Sequence, residues 1–169
     1  MFIRLFLVLV MSFLPVTVSA LEVPKLIGRI NDHAGLLSQR AVVRFDRRLS
    51  EFERATSNQM AVLTIPSLEG DDINPFALRV GNTWRLGQKG KNNGLLIIIA
   101  KADRKTRIEV GIGLQDVLTD AEAGEILREV MRPYLKEGLY DRGVEAGIDA
   151  IINKTKYKFR TPYWDSYFK

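Results

Sequence analysis

The chain contains no cysteine and only one histidine, His33. The first absence excludes disulfides, thiol catalysis and thiolate zinc sites. The second leaves one residue for any Ser–His–Asp arrangement. It sits between Asp32 and Ala34, before a predicted helix. A lone loop histidine there is more often solvated or capping than a general base. Dense basic blocks are also missing. The 25 basic and 20 acidic residues leave a formal charge of +5, but the signs are interleaved, so nucleic acid is a poor partner. Complete nucleotide-binding loops are absent too. Gly111-Ile-Gly113 lacks a third glycine, with Asp116 in its place, and Gly87-Gln-Lys-Gly-Lys-Asn92 lacks the Walker spacing. No nucleotide cofactor is expected. These glycines read instead as unusual backbone angles or close packing.

Long apolar runs are scarce. One follows Arg4, from Leu5 to Leu14, and leads through Pro15 to the small residues Ser19 and Ala20. A short basic start, an apolar run and a small-residue end make a cleavable secretory signal, residues 1–20. The run is well short of the roughly 20 residues a bilayer needs. No second run downstream is long enough to span, so the processed chain is expected to be periplasmic or secreted. The alternative is a domain anchored by an uncleaved leader. Residues 21–153 form one predicted domain, and 154–169 an aromatic, basic tail.

Within the domain, Ser38 precedes a helical pattern of Val42, Phe45, Leu49 and Phe52. Met60–Ile65 reads as a buried strand ended by Pro66. Asp71 or Asp72 is placed to cap a second helix with an apolar face of Phe76, Ala77, Val80 and Trp84. Gly87–Gly94 is a mobile loop by composition. Leu95–Ala100 is almost continuously apolar, as in a strand covered on both faces. Lys101–Arg104 reads as a hairpin turn, and 106–111 as its antiparallel partner. Thr119-Asp-Ala-Glu122 is a capping box. The helix behind it is predicted to bury Ala123, Ile126, Leu127, Val130 and Tyr134, with Pro133 ending or bending it. Asp141 opens a last helix through Val144, Ile148 and Ile152. Helices alternating with doubly buried strands predict a three-layer α/β/α sandwich on a mixed central sheet.

Carboxylates are the better candidates for chemistry. Asp116 and Asp120 follow a strand, Asp32 precedes the first helix, and Asp103 lies in the hairpin turn. Ligands of α/β sheets collect beyond strand ends. Carboxylates gathered there are ligands for Ca²⁺, with Mg²⁺ as the alternative. Taken singly, each is also an ordinary cap or solvated turn residue.

Four stretches carry a family resemblance: 30–38, beginning Ile30-Asn-Asp-His; 65–73, beginning Ile65-Pro-Ser-Leu; 84–96, beginning Trp84-Arg-Leu-Gly; and 107–121, beginning Arg107-Ile-Glu-Val-Gly. With them, Ile30 to Asn153 resembles the TPM domain, found in exported bacterial proteins and in plant thylakoid-lumen proteins of photosystem II repair. The resemblance implies an α/β/α sandwich and an extracytoplasmic setting. Members are linked to calcium binding and, in the plant branch, to acid phosphatase activity. The positions matching acidic or amide residues of the family's motifs are Asp32, Asn93, Asp103, Asp116 and Asp120. Gln115 stands where the family usually has glutamate. It keeps a carbonyl oxygen for a cation but removes one charge. Many bacterial relatives continue into a transmembrane helix and a glycine-rich tail, whereas this sequence runs to Trp164-Asp-Ser-Tyr-Phe-Lys169.

Two functions are expected on these grounds. One is an accessory or interaction protein of the cell envelope with a modest divalent-cation site, acting on an envelope or membrane protein partner. The other is a metal-assisted acid phosphatase, with the carboxylates as ligands and Lys91 or Arg104 holding phosphate. No catalytic residue is assigned. A weaker third reading gives the aromatic tail an interfacial role.

Overall fold

In the computed structural model, which describes residues 20–167, two seven-residue strands form the centre of the molecule. They are β2 (Gln59–Ile65) and β3 (Gly94–Ala100), paired in parallel from Gln59 opposite Gly94 to Ile65 opposite Ala100. β1 (Ile30–Asp32) adds in parallel to β2, and β4 (Lys105–Val110) adds antiparallel to β3. The order is β1-β2-β3-β4. Every residue of β3 is buried. Alternation sends Leu95, Ile97 and Ile99 into one core with Met60 and Val62. It sends Leu96, Ile98 and Ala100 into the other with Ala61, Leu63 and Ile65. The mixed sheet is therefore covered on both faces, as the sequence pattern predicts.

Helix α1 (Gln39–Thr56) covers the first face with Ala41, Phe45, Leu49 and Phe52. Its cap is Ser38, whose hydroxyl accepts from the amide of Ala41 at 3.2 Å. Phe45 and Phe52 are essentially sealed from solvent. Each such burial contributes about 1.5–3 kcal/mol before entropy is counted. Helix α2 (Ile73–Trp84) covers the opposite face with Phe76, Ala77, Val80 and Trp84. Asp72 caps it, accepting from Asn74 N at 2.8 Å. The segment after the predicted leader runs beside α2, and Trp84 Nε1 donates to the Pro24 carbonyl at 2.8 Å.

The predicted helix behind the capping box has three parts. α3 (Asp120–Glu125) is followed by a π-helical stretch, Ile126–Met131, and then by α4 (Arg132–Lys136). Pro133 sits at the start of α4. It does not end the helix there. A widened turn upstream is the usual way to carry a helix past a residue with no N–H to give. The extra residue shifts the phase of the downstream turns. Tyr134, expected in the core, is 36% exposed. Helix α5 (Tyr140–Thr155) completes this face with Val144, Ile148, Ile151 and Ile152. The C-terminal tail folds back onto α1. Thr161 N donates to the Ala55 carbonyl at 2.8 Å. Arg160 lies over the rings of both Tyr157 and Trp164, and Trp164 begins the short helix α6 (Trp164–Tyr167). The predicted leader, apart from Ala20, lies outside the described residues. Among the described residues no helix is long and apolar enough to cross a membrane.

Glycines permit a close backbone approach between two loops. The loop between α2 and β3 folds onto the turn after β4, and Gly113 N donates to the Asn92 carbonyl at 3.0 Å. A Cβ on Gly113 would lie 1.7 Å from the Lys91 carbonyl oxygen, and one on Gly111 2.2 Å from that of Asn92. The pair of glycines after β4 thus serves close packing, as read from the sequence. The loop itself, mobile by composition, is braced: Gly87 N donates to Gln59 Oε1 and Gln88 N to Asn93 Oδ1.

Gly113→Ala is expected to cost about 3 kcal/mol or to prevent folding. Gly81→Ala, inside α2 with open space at its Cβ, is expected to stabilise by about 0.5–1 kcal/mol. Urea unfolding of both variants measures the contrast. The capping box gives a pH dependence. The Lys154 ammonium at 2.8 Å, then the Thr119 amide and hydroxyl, hold the Glu122 carboxyl down at about 2. Because the folded value lies below the unfolded one, this contribution is full above about pH 4.5 and is lost as pH falls toward 2. Glu122→Gln should remove that part of the acid limb in a stability-against-pH series.

Candidate functional site

Asp32 and Asp103 share the edge where the three parallel strands end. Asp32 closes β1 opposite Thr64. Its carboxylate accepts from the amides of Leu36 and Leu37, both at 3.0 Å, and from the Thr64 hydroxyl. It ties the loop before α1 to the sheet. Asp103, in the β3–β4 turn, accepts from Leu68 N at 2.8 Å and so ties that turn to the loop after β2. His33 is exposed at the same edge, its backbone N–H bonded to the Thr64 carbonyl at 3.0 Å.

Asn93, Gln115 and Asp116 lie at the other edge, because Asn93 precedes β3 and the other two follow β4, which runs the opposite way. The length of β3 separates the two edges by about 20 Å. Asn93 is fully buried. Its amide donates to the Ser57 carbonyl at 2.8 Å and to Asn58 Oδ1 at 3.2 Å, while its oxygen accepts from Gln88. This is a structural knot joining the end of α1 to the loop before β3. Asp116 pairs with Lys158 Nζ at 2.5 Å. That hydrogen bond, aided by the ammonium charge, lowers its pKa below the usual carboxylate range. Gln115 is exposed beside it. Asp120 is elsewhere again. It opens α3 and lies 3.9 Å from Arg107, at the middle of β4.

The six candidates therefore divide among two sheet edges and a flank. Calcium takes about six to eight oxygen ligands, and no single point collects these residues. Among the described residues no group of three or more His, Asp or Glu side chains is placed to hold a metal ion. The two cations expected to hold phosphate are separated as well. Lys91 donates to Ser57 Oγ at 2.9 Å and sits over the Phe159 ring, near Asn93. Arg104 is exposed at the opposite edge. The partners Thr64, Ser57 and Lys158 were not singled out from the sequence. A hydroxyl inside a buried strand was the visible signal for Thr64. Lys158, 42 residues from Asp116, left none.

Comparison with known proteins gives the family. A family model described as the TPM domain matches residues 30–154. The N-terminal domain of a P. gingivalis protein, solved by NMR, superposes with a TM-score of 0.71 at 28% identity, covering 78% of this chain and 86% of that one. A protein of the psychrophilic bacterium Bizionia argentinensis gives 0.63 at 21% identity, covering 75% and 86%. The N-terminal domain of a Corynebacterium glutamicum protein gives 0.60 at 16% identity, covering 80% and 86%. The last two are likenesses of fold alone. No curated protein matches the chain.

The division of the carboxylates can be measured. Asp32→Asn should cost about 1.5–3 kcal/mol through its charge-assisted hydrogen bonds, and Asp116→Asn little. The double variant should lose the sum of the two within about 0.5 kcal/mol, with or without millimolar calcium. Coupling that appears only with calcium would show that one ion bridges them.

Proposed function

This chain belongs to the TPM domain family, and on that footing we propose that it is an exported accessory protein of the cell envelope that acts by binding a protein partner, not by turning over a substrate. The observation carrying this reading is how the motif residues are used. Asp32, Asn93 and Asp103 spend their oxygens on backbone amides of neighbouring loops, and Asp116 spends its charge on Lys158. Side chains of the kind that build reaction centres here hold the scaffold. Because they do not fit a single calcium or magnesium ion, no step in this reading runs through a metal.

Export is supported by the leader and by the residue after it. The amide of Leu21, first beyond the predicted cleavage point, donates to Asp71 Oδ2 at 2.9 Å. Arg79 pairs with the same carboxylate. Burial raises the Asp71 pKa, but the Leu21 amide and the Arg79 guanidinium outweigh it and leave the group lowered. Cleavage after Ala20 turns that amide into an ammonium group facing an ionised carboxylate. The new terminus would then be held in place by charge.

Expressed as the full chain in a bacterial host, the protein is expected in the soluble envelope fraction, with an intact mass beginning at Leu21. Retention of residues 1–20 in the membrane pellet would replace the soluble reading with the anchored one. The alternative activity, a metal-assisted phosphatase, is decided by hydrolysis of a generic phosphate ester with millimolar Ca²⁺ or Mg²⁺. The expected rate is that of the blank. Turnover that disappears in Asp120→Asn would establish the enzyme and end the binding-only reading.

A further inference from the structure

Between the β3–β4 turn and the α3–α4 helical segment lies a groove of about 770 Å³. Its apolar lining comes from Ile99, Leu127 and Leu135, with Tyr140 beside them. Its remaining wall is cationic: Lys101, Arg104 and Lys105 from the hairpin, and Arg128, Arg132 and Lys136 from the helices. All six are exposed. Among the described residues none of them forms an ion pair, whereas Arg29, Arg44, Arg48, Arg79, Arg107, Lys154 and Lys158 are all paired. Glu137 is the one carboxylate lining the groove. The local excess of five positive charges equals the formal charge of the entire chain. The groove is thus a concentrated cationic patch on a chain whose charges are interleaved in sequence.

We propose that this groove is a binding site for a ligand bearing more than one phosphate group. Six like charges around a low-dielectric wall raise the local potential by several kT and select for an anion. The volume lies within the range of small-molecule sites, about 300–1,000 Å³. Phosphate is favoured over carboxylate by charge density. A phosphate monoester carries about −1.5 to −2, so about three phosphates neutralise the excess and two offset most of it, whereas carboxylates would need about five groups in the same space. Three of the cations are arginines, whose planar forks match phosphate oxygens in pairs. Ile99, Leu127 and Leu135 accommodate an organic body. The site lies at the sheet edge away from Asn93 and Asp116. It holds its ligand without cleaving it, and it stands whether or not the envelope-partner reading does.

Two sources share this chemistry, a soluble polyphosphorylated compound and a lipid headgroup. Calorimetric titration with pyrophosphate probes the first. Flotation with phosphatidylcholine vesicles doped with a phosphatidylinositol bisphosphate probes the second. Saturable binding of either probe, weakened by salt, is expected, with pyrophosphate recovered intact. Arg128→Gln/Arg132→Gln should weaken it about tenfold or more. Lys25→Gln/Lys89→Gln, which removes as much charge from exposed positions outside the groove, should leave it within about twofold. Amide shifts on pyrophosphate addition should fall on residues 101–105 and 128–136. Binding of pyrophosphate alone assigns a soluble ligand, and flotation alone a headgroup. No binding of either at low salt, equal loss in the two double variants, or shifts centred elsewhere would overturn the proposal.

Discussion

The parallel pairing of β2 with β3 is the constraint on which the rest of the molecule depends. Seven residues of each strand are in register; the shared ladder pairs the backbone polar groups on one edge of each, and β1 and β4 add to the outer edges. Both strands carry apolar side chains on both faces, so neither face can be left open. α1, the α3–α4 segment and α5 must close one side, and α2 the other. The same pairing decides where loops gather. Parallel strands send all their outgoing turns to one edge, and β4, by reversing, returns the chain to the other. The two edges differ chemically for that reason. One carries the carboxylates that fasten outgoing loops, together with the basic hairpin. The other carries the glycine contact and the Asn93 knot.

Much of this fold was legible in residue order. The step of Val42, Phe45, Leu49 and Phe52 gave α1, the uninterrupted Leu95–Ala100 run gave the central strand, and Thr119 with Glu122 gave the start of α3. Each is a local signal in which periodicity and capping chemistry agree. What was not legible depends on distant partners. β1 is three residues long and has no period to read. The widened helical turn before Pro133 depends on the core accepting a phase shift. The bracing of the loop after α2 depends on glycines beyond β4, whose meaning is visible only when the Lys91 and Asn92 carbonyls lie against them.

The candidate site was legible only as a set of residue types. Strand ends attract ligands, and Asp32, Asp103 and Asp116 all stand at strand ends. Residue order alone does not show that β4 reverses the sense of its end, which puts Asp116 at the far edge from Asp32. The basic groove was hidden for a related reason. Its six cations come from two segments more than twenty residues apart, each with acidic neighbours, so the chain reads as evenly mixed while the surface is not. Folding sorted the charges that the linear order had interleaved.

The two faces of the sheet are unequally protected. One is closed by several helical segments and the folded-back tail. The other is closed by α2 with Leu68 and the Leu21 and Val23 side chains beside it. α2 is held at its end by the bond from Trp84 to Pro24 and at its middle by Arg79, which pairs with Asp71, the carboxylate that also holds Leu21. α2 is therefore the natural first unit to open in a native-state fluctuation, and Leu21–Pro24 form its latch. Shortening the chain by these four residues would leave the global fold in place. It would lower the free energy of local opening, and the amide protons of β2 and β3 beneath α2 would be where hydrogen exchange registers the change.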